Sequence, residues 1–180
     1  MSKDTNFVWI KRNITPREHQ EIINLGEIEL KTKSEKIRIY PYKEITSHIV
    51  GFSNIDGKGL SGIEKSFQNK LDSGENITLS IDIRIQNSTR SELIKTINKF
   101  SAHSGLSIVM DISSGEILSM VNYPDFDPNI SDKFLTKNQF NSATQGVFEM
   151  GSTFKPITMA IGLDSNIIDL DMLFDVSQPI

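Results

Sequence analysis

Residues 105–124 read GLSIVMDISSGEILSMVNYP. Leu106, Ile108, Met110 and Ile112 alternate along the first half, SSG marks a turn, and EILSMV returns. Apolar alternation on both sides of a turn predicts a β-hairpin with a longer loop. YPDFDPN (123–129) ends it, because two prolines among aspartates make a loop. Upstream, NITLSID (76–82) puts Ile77, Leu79 and Ile81 on one face and reads as a strand. IRIQNSTRSELIKTINKFSA (83–102) places Ile85, Leu93, Ile97 and Phe100 at helical spacing, with Asp82 as N-cap. Strand, helix, hairpin, loop and a further helix predict an α+β fold, with helices packed on an antiparallel sheet.

Nearer the start, NITPREHQEIINLGEIEL (13–30) marks a helix at both ends. Thr15 suits the N-cap, Pro16 suits N1, Glu18 completes a capping box, and Gly26 suits the left-handed residue after the helix. The helix is expected over about 16–25, with Ile22, Ile23 and Leu25 supplying apolar contacts. Residues 36–71 form a glycine- and turn-rich connector. Ile37 and Ile39 alternate as on a strand until Pro41 stops it. NIDGKGLSG (54–62) is read as a surface loop, or as a place where Gly57, Gly59 and Gly62 allow close backbone contact. It is not a phosphate loop, since no G-x-x-x-x-G-K-[ST] is present. GIEKSFQNKL (62–71) reads as a short helix. The composition shift at DSGEN (72–76) places a domain boundary there, giving 1–75 and 76–180.

The 180 residues suffice for one ordinary domain or for pieces of two. A net charge of −4 gives no basic footprint for nucleic acid or an anionic membrane. Cysteine is absent, which excludes disulfides and thiolate metal sites. His19, His48 and His103 lack metal-ligand spacing, so neither metal nor cofactor is expected. No apolar run approaches the ~20 residues of a spanning helix.

FEMGSTFKPIT (148–158) carries the candidate chemistry. Pro156 has no N–H, and its ring crowds the carbonyl four residues back, at Ser152. A helix containing KPITMAIGL should therefore begin at about Ser152 or Thr153. Ser152 would lie at the helix tip, with free N–H groups and the positive end of the macrodipole. Lys155, three residues on, shares that face. Because it precedes a proline, Lys155 is expected in a slightly strained turn. A serine hydroxyl needs a base, and no histidine stands nearby in sequence. A lysine serves only when neutral, through burial or neighbouring cations. The helix tip would stabilise a tetrahedral oxyanion. Ser152 and Lys155 are thus a candidate catalytic pair; a capping serine with an unrelated lysine is the alternative, because S-x-x-K is common.

The surroundings of that pair resemble the class B penicillin-binding proteins, the peptidoglycan D,D-transpeptidases. S-x-x-K is their nucleophile motif, used with two further motifs. RIYPYKEITSHIVGF (38–52) is similar to the family's R-x-Y-P…H-x-x-G segment, and DGKGLSGIEKSFQNKL (56–71) to its D-G-x-G-x-x-G-[IL]-E stretch. LSIDIRIQ (79–86) resembles the T-x-D-x-x-x-Q entry strand. IVMDISSGEILSMVNYPDFDPN (108–129) resembles the family hairpin, and FEMGSTFKPIT its E-P-G-S-T-F-K-P. FVWIKRNITPREHQEII (7–23) is similar to the septal, cell-division type.

The resemblance implies that Ser152 is acylated by the D-Ala-D-Ala end of a stem peptide and passes the acyl group to a neighbouring amine. Penicillins and other β-lactams would acylate the same serine. Lys155 would activate Ser152, whose backbone N–H would form part of the oxyanion hole. Arg38, Tyr40, Pro41, Gly51, Gly59, Gly62 and Glu64 match segments that join a non-catalytic pedestal to the transpeptidase domain. By the same resemblance, residues 1–75 would be part of the pedestal and linker, and 76–180 the first part of the catalytic domain. Partners would be stem peptides, β-lactams and other division proteins. Location would be the inner membrane with the domains in the periplasm.

The sequence departs from the family where Met150 replaces a frequent proline, expected to loosen the approach to the helix. It departs again where Phe140 precedes Asn141 in place of an arginine, removing a charge that would anchor the loop. Neither S-x-N nor K-[ST]-G occurs in the 180 residues, and neither does an anchor. The reading is therefore of an internal fragment, inactive alone. Two alternatives stand beside it. One is a non-catalytic or split fragment acting as a pedestal or partner-binding module. The other is a class D β-lactamase-like or β-lactam sensor domain, which would share STFK but lack the pedestal segments.

Overall fold

The computed structural model describes residues 8–130, 137–174 and 177. The chain divides into two compact units, Met1–Ile39 and Tyr40–Ile180.

In the first unit, α1 spans Pro16–Asn24, as its end signals predict. Both arms of the capping box form: Glu18 N–H donates to Thr15 Oγ1 (3.3 Å), and Thr15 N–H donates to Glu18 Oε2 (2.8 Å). Lys11 pairs with Glu18 and, with the Thr15 bonds, holds its carboxyl down at about 2. Gly26 takes φ +70°. Of the residues expected to supply apolar contacts, Ile22 is half-buried, while Ile23 and Leu25 are more than half exposed. The Ile37–Ile39 strand is also absent: the backbone there has no ladder partner, and both side chains stand in solvent. Alternation alone does not make a strand when no second strand meets it.

The second unit is built on α5 (Ile83–Phe100) and a two-stranded antiparallel sheet, β1 (Gly105–Met110) and β2 (Ile117–Tyr123). This is the predicted α+β arrangement. Gly105 pairs with Tyr123 and Met110 with Ile117, with a bulge between Val109 and Met110. The turn is fixed locally. Asp111 Oδ1 accepts from Ser113 N–H (2.8 Å) and Ser114 N–H (3.0 Å), and Gly115 has φ +76°. Those backbone donors favour the charged carboxylate and lower the Asp111 pKa.

Asp82 caps α5 through Arg84 N–H (2.8 Å). The helix lies on the sheet face that carries Gly105, Ser107, Val109, Ser119 and Val121. Gly105 is where the approach is tightest: a Cβ there would stand 3.1 Å from both Leu93 and Ile97. Ile97 and Val121 are buried in this contact. The alternating apolar residues Leu106, Ile108 and Met110 are on the other side, and Ile108 and Met110 are about half exposed. Phe100, which stands at helical spacing with Leu93 and Ile97, is 70% exposed.

Residues 76–82 correct the sequence reading in one respect. Ile77, Leu79 and Ile81 do alternate inward, but no strand forms. The segment reaches β2 by one backbone bond, Asp82 N–H to Leu118 O (2.9 Å). Ser80 Oγ makes the next contact, to Ile117 O (2.7 Å). A side chain has taken the place of a ladder rung.

The connector is ordered by close backbone approach. Short helices α2 (Ser47–Val50), α3 (Gly62–Ser66) and α4 (Gln68–Asp72) are separated by a tight loop, and the single expected helix over 62–71 is split at Phe67. A Cβ on Gly51 would lie 2.0 Å from Ser61 O, and one on Gly62 2.5 Å from Ile49 O. Both glycines also have positive φ. Gly59 is equally closed in by Glu64 O, at 2.2 Å, while Gly57 only turns the chain. Glu64 is buried.

Candidate active site

Ser152 lies in a 3-10 turn, Gly151–Phe154, that runs directly into α7 (Lys155–Asp164). Gly151 opens the turn at φ +51°. Thr153 N–H donates to Met150 O (3.1 Å), and Lys155 N–H to Ser152 O. No backbone carbonyl among the described residues accepts from the Ser152 N–H. The i→i+3 bond from Lys155 N–H to Ser152 O sets the two residues one turn apart. Pro156 occupies the first turn of α7, where its missing N–H leaves no gap. The strain expected at Lys155 is absent. Its φ −56° and ψ −42° are ordinary helical angles. Both Ser152 and Lys155 are exposed, as are Ile157, Met159 and Ile161 along α7.

Both departures from the family pattern have a local account. Met150 has φ −75°, inside the range a proline ring would impose, so the backbone keeps the course that proline would set. The loop at Phe140–Asn141 is anchored without an arginine. Asn122 Nδ2 donates to Phe140 O (3.1 Å), and Asn141 Nδ2 donates to His48 O (3.1 Å). Asn141 Oδ1 then caps α6 (Ser142–Gln145) through Ala143 N–H (3.1 Å).

His48 is the centre of this anchor. Its Nε2 lies 2.7 Å from Asn138 O. A carbonyl only accepts, so Nε2 carries the proton and donates. Asn122 Nδ2, 3.1 Å from the same nitrogen, is then a neighbour, with its own N–H directed to Phe140 O. The Phe126 ring meets the imidazole edge-on at 5.3 Å. Burial pushes the His48 pKa below its ordinary 6.5, against the opposing pull of the Asn138 bond and Asp125. Asp125 is forked by Arg90, with Nε to Oδ2 at 2.6 Å and the second nitrogen to Oδ1 at 3.2 Å. Tyr40 exchanges two bonds with Asn129, each 2.9 Å.

Beneath the sheet, Gln86 is 1% exposed and fully engaged. Its Nε2 donates to Ile45 O (2.8 Å) and Met120 O (3.0 Å), and its Oε1 accepts from Ser119 Oγ and Met120 N–H, both at 2.9 Å. Sequence reasoning matched Gln86, His48 and Asn141 to family patterns without giving them these roles, and it missed Asn122. One signal was available for Gln86. It lies on the helix face of Leu93 and Ile97, and a polar residue on a buried stripe needs partners. Among the described residues, no group of three or more His, Cys, Asp or Glu could hold a metal ion. No described helix is long and apolar enough to cross a membrane.

Residues 105–178 match the penicillin binding protein transpeptidase domain. The chain is 36% identical over 176 residues to the probable peptidoglycan D,D-transpeptidase FtsI of Caulobacter vibrioides, covering 95% of the chain and 30% of that protein. It is 31% identical to the probable D,D-transpeptidase PenA of Neisseria gonorrhoeae, covering 94% of the chain and 34% of the relative. Among solved structures it is similar to Pseudomonas aeruginosa PBP2 in complex with WCK 5153. There the TM-score is 0.57 at 26% identity, over 81% of the chain and 38% of the other. It is also similar to Mycobacterium tuberculosis PBP3 complexed with aztreonam, with a TM-score of 0.60 at 25% identity, over 77% of the chain and 34% of the other. The chain spans about a third of the length of these curated relatives. With its fold, its ordered motifs and its relatives in agreement, the chain belongs to the penicillin-binding peptidoglycan transpeptidase family.

Proposed function

We propose that this chain supplies the nucleophile-bearing part of a D,D-transpeptidase that cross-links peptidoglycan stem peptides at cell division. The observation that supports the reading is the single 3-10 turn that leads from Ser152 to Lys155 at the start of α7, inside the matched domain. In this reading Ser152 Oγ attacks the carbonyl of the penultimate D-Ala, and Lys155 Nζ takes the hydroxyl proton. The C–N bond to the terminal D-Ala breaks, and the proton passes to the departing amine. An acceptor amine then attacks the ester, and Ser152 Oγ recovers a proton. The Ser152 N–H, uncommitted to any described carbonyl, is one oxyanion donor. β-Lactams acylate the same serine.

Residues 1–75 contribute to the pedestal and its linker, and 76–180 to the catalytic domain. Division proteins bind on the pedestal side, and the protein is held at the inner membrane facing the periplasm. Lys155 is exposed, and the family's S-x-N and K-[ST]-G are not among the 180 residues. An amine takes a serine proton only when desolvated or crowded by cations, so these residues alone are inactive. The test is gel labelling with a fluorescent penicillin. The longest natural product containing this chain should label, its Ser152→Ala and Lys155→Ala variants should not, and the 180 residues alone should not. Strong labelling of the isolated 180 residues would overturn the inactivity, and full labelling of Ser152→Ala would overturn the assignment.

A further inference from the structure

We propose that His48 is a positioning residue for the Ser152 turn, a role that rests on the reading of Ser152 as nucleophile. His48 grips the 138–141 segment at both ends. Its ring N–H donates to Asn138 O (2.7 Å), and its backbone carbonyl accepts from Asn141 Nδ2 (3.1 Å). Between these points Asn122 holds Phe140 O. Asn141 is also the N-cap of α6, receiving Ala143 N–H on its side chain and Gln145 N–H on its carbonyl at 2.9 Å. The helix therefore begins from a residue that His48 fixes. After α6 ends at Gln145, residues 146–150 lead into the turn that holds Ser152.

Those connecting residues lie outside any helix or strand and are mostly exposed, with Val147 at 97%. They have little packing of their own to set the direction of the turn. The clamp upstream is where the fold fixes it. His48 is suited to the task because it is itself immobile. The residue is 9% exposed, with Phe126 edge-on to its ring and α2 bracketed by Gly51 and Gly62. Residues 40–52 would thus act on acylation through the ring and the backbone carbonyl of His48, without touching substrate.

The closing experiment compares wild type, His48→Leu and His48→Gln in the longest natural product containing this chain. Leucine fills the space but leaves the part-buried Asn138 O without its donor; glutamine retains an N–H at similar reach. The first readout is the second-order rate of acylation by a fluorescent penicillin, measured well below the melting temperature of each variant. His48→Leu should be slowed about tenfold, the loss of one buried hydrogen bond expressed as a rate. His48→Gln should recover most of that rate. Hydrogen exchange over residues 142–155 is the second readout, and His48→Leu should speed it while leaving β1 and β2 unchanged.

Acylation by folded His48→Leu at the wild-type rate would overturn the positioning role, as would equal defects in the leucine and glutamine variants. If His48→Leu does not fold, His48→Gln against wild type decides: a glutamine variant that folds yet acylates as poorly as an unanchored turn overturns it, and one near wild type supports it. Failure of wild type itself to acylate would instead refute Ser152 as nucleophile. Hydrogen exchange then decides whether His48 fixes the turn, unchanged exchange in 142–155 counting against it.

Discussion

Replacing Gln86 by leucine should destabilise the second unit by about 3–5 kcal/mol. The side chain is almost fully buried and joins three pieces of chain: the 3-10 turn at Lys43–Thr46, α5 and β2. Leucine has a similar volume and leaves no large cavity. The cost is polar. Ile45 O and Met120 O lose a donor, while Met120 N–H and Ser119 Oγ lose an acceptor. Each buried group left without a partner costs about 1–3 kcal/mol. Ser119 is 0% exposed, so water does not replace the bond there without opening the sheet. The hydroxyl rotates and carbonyls have second lone pairs, which keeps the total below the simple sum. Against a domain stability of about 5–15 kcal/mol, this is a large fraction.

Urea denaturation followed by circular dichroism reads the effect, with an unchanged slope showing that only stability has moved. Gln86→Glu is the companion variant. Its carboxylate would face the carbonyls of Ile45 and Met120, so it should gain stability when protonated on acidification. A Gln86→Leu variant within about 1 kcal/mol of wild type would refute the claim that this network holds the helix to the sheet.

Gly51→Ala and Gly62→Ala should each cost more than about 2 kcal/mol, since the new Cβ meets backbone and φ is positive; Gly26→Ala, with open space, should cost only about 1 kcal/mol. Thermal denaturation of the three separates steric from conformational cost. Arg90→Met should cost about 2–4 kcal/mol by stranding Asp125, whose side chain is 8% exposed, and adding Asp125→Asn should recover part of it in a double-mutant cycle. The folded His48 pKa lies below the unfolded 6.5, so on acidification the unfolded chain takes the proton first. The stability owed to neutral His48 is whole above about pH 6.5 and is lost as pH falls toward the folded value, at no more than about 1.4 kcal/mol per pH unit. Melting temperatures between pH 5 and 7.5 should show this slope and lose it in His48→Gln. The carboxyls of Glu18, Asp82 and Asp111, all lowered, act at more acid pH.

The elements legible in the sequence are those whose determinants are local. Thr15, Pro16, Glu18 and Gly26 mark both ends of α1 within a dozen residues, and the helix forms between them. Asp82 caps α5, and Asp111 with Gly115 closes the hairpin, by bonds to near neighbours in the chain. The strands expected at Ile37–Ile39 and at 76–82 failed because a ladder needs a partner that alternation does not specify. The candidate pair was legible for the opposite reason: Ser152, Lys155 and Pro156 set their own geometry within one turn. What surrounds the approach to that turn was not. His48 meets Asn138 and Asn141 across about ninety residues of chain. Only the folded hairpin and loop bring them together.

The account's central claim is that Ser152 is the acylated nucleophile. Its most direct measurement is mass-spectrometric mapping of the adduct after the longest natural product containing this chain is treated with a β-lactam. A covalent acyl group on Ser152, absent from the Ser152→Ala variant, is the predicted result. An adduct on any other residue, or none on a folded protein that carries S-x-N and K-[ST]-G, would contradict it.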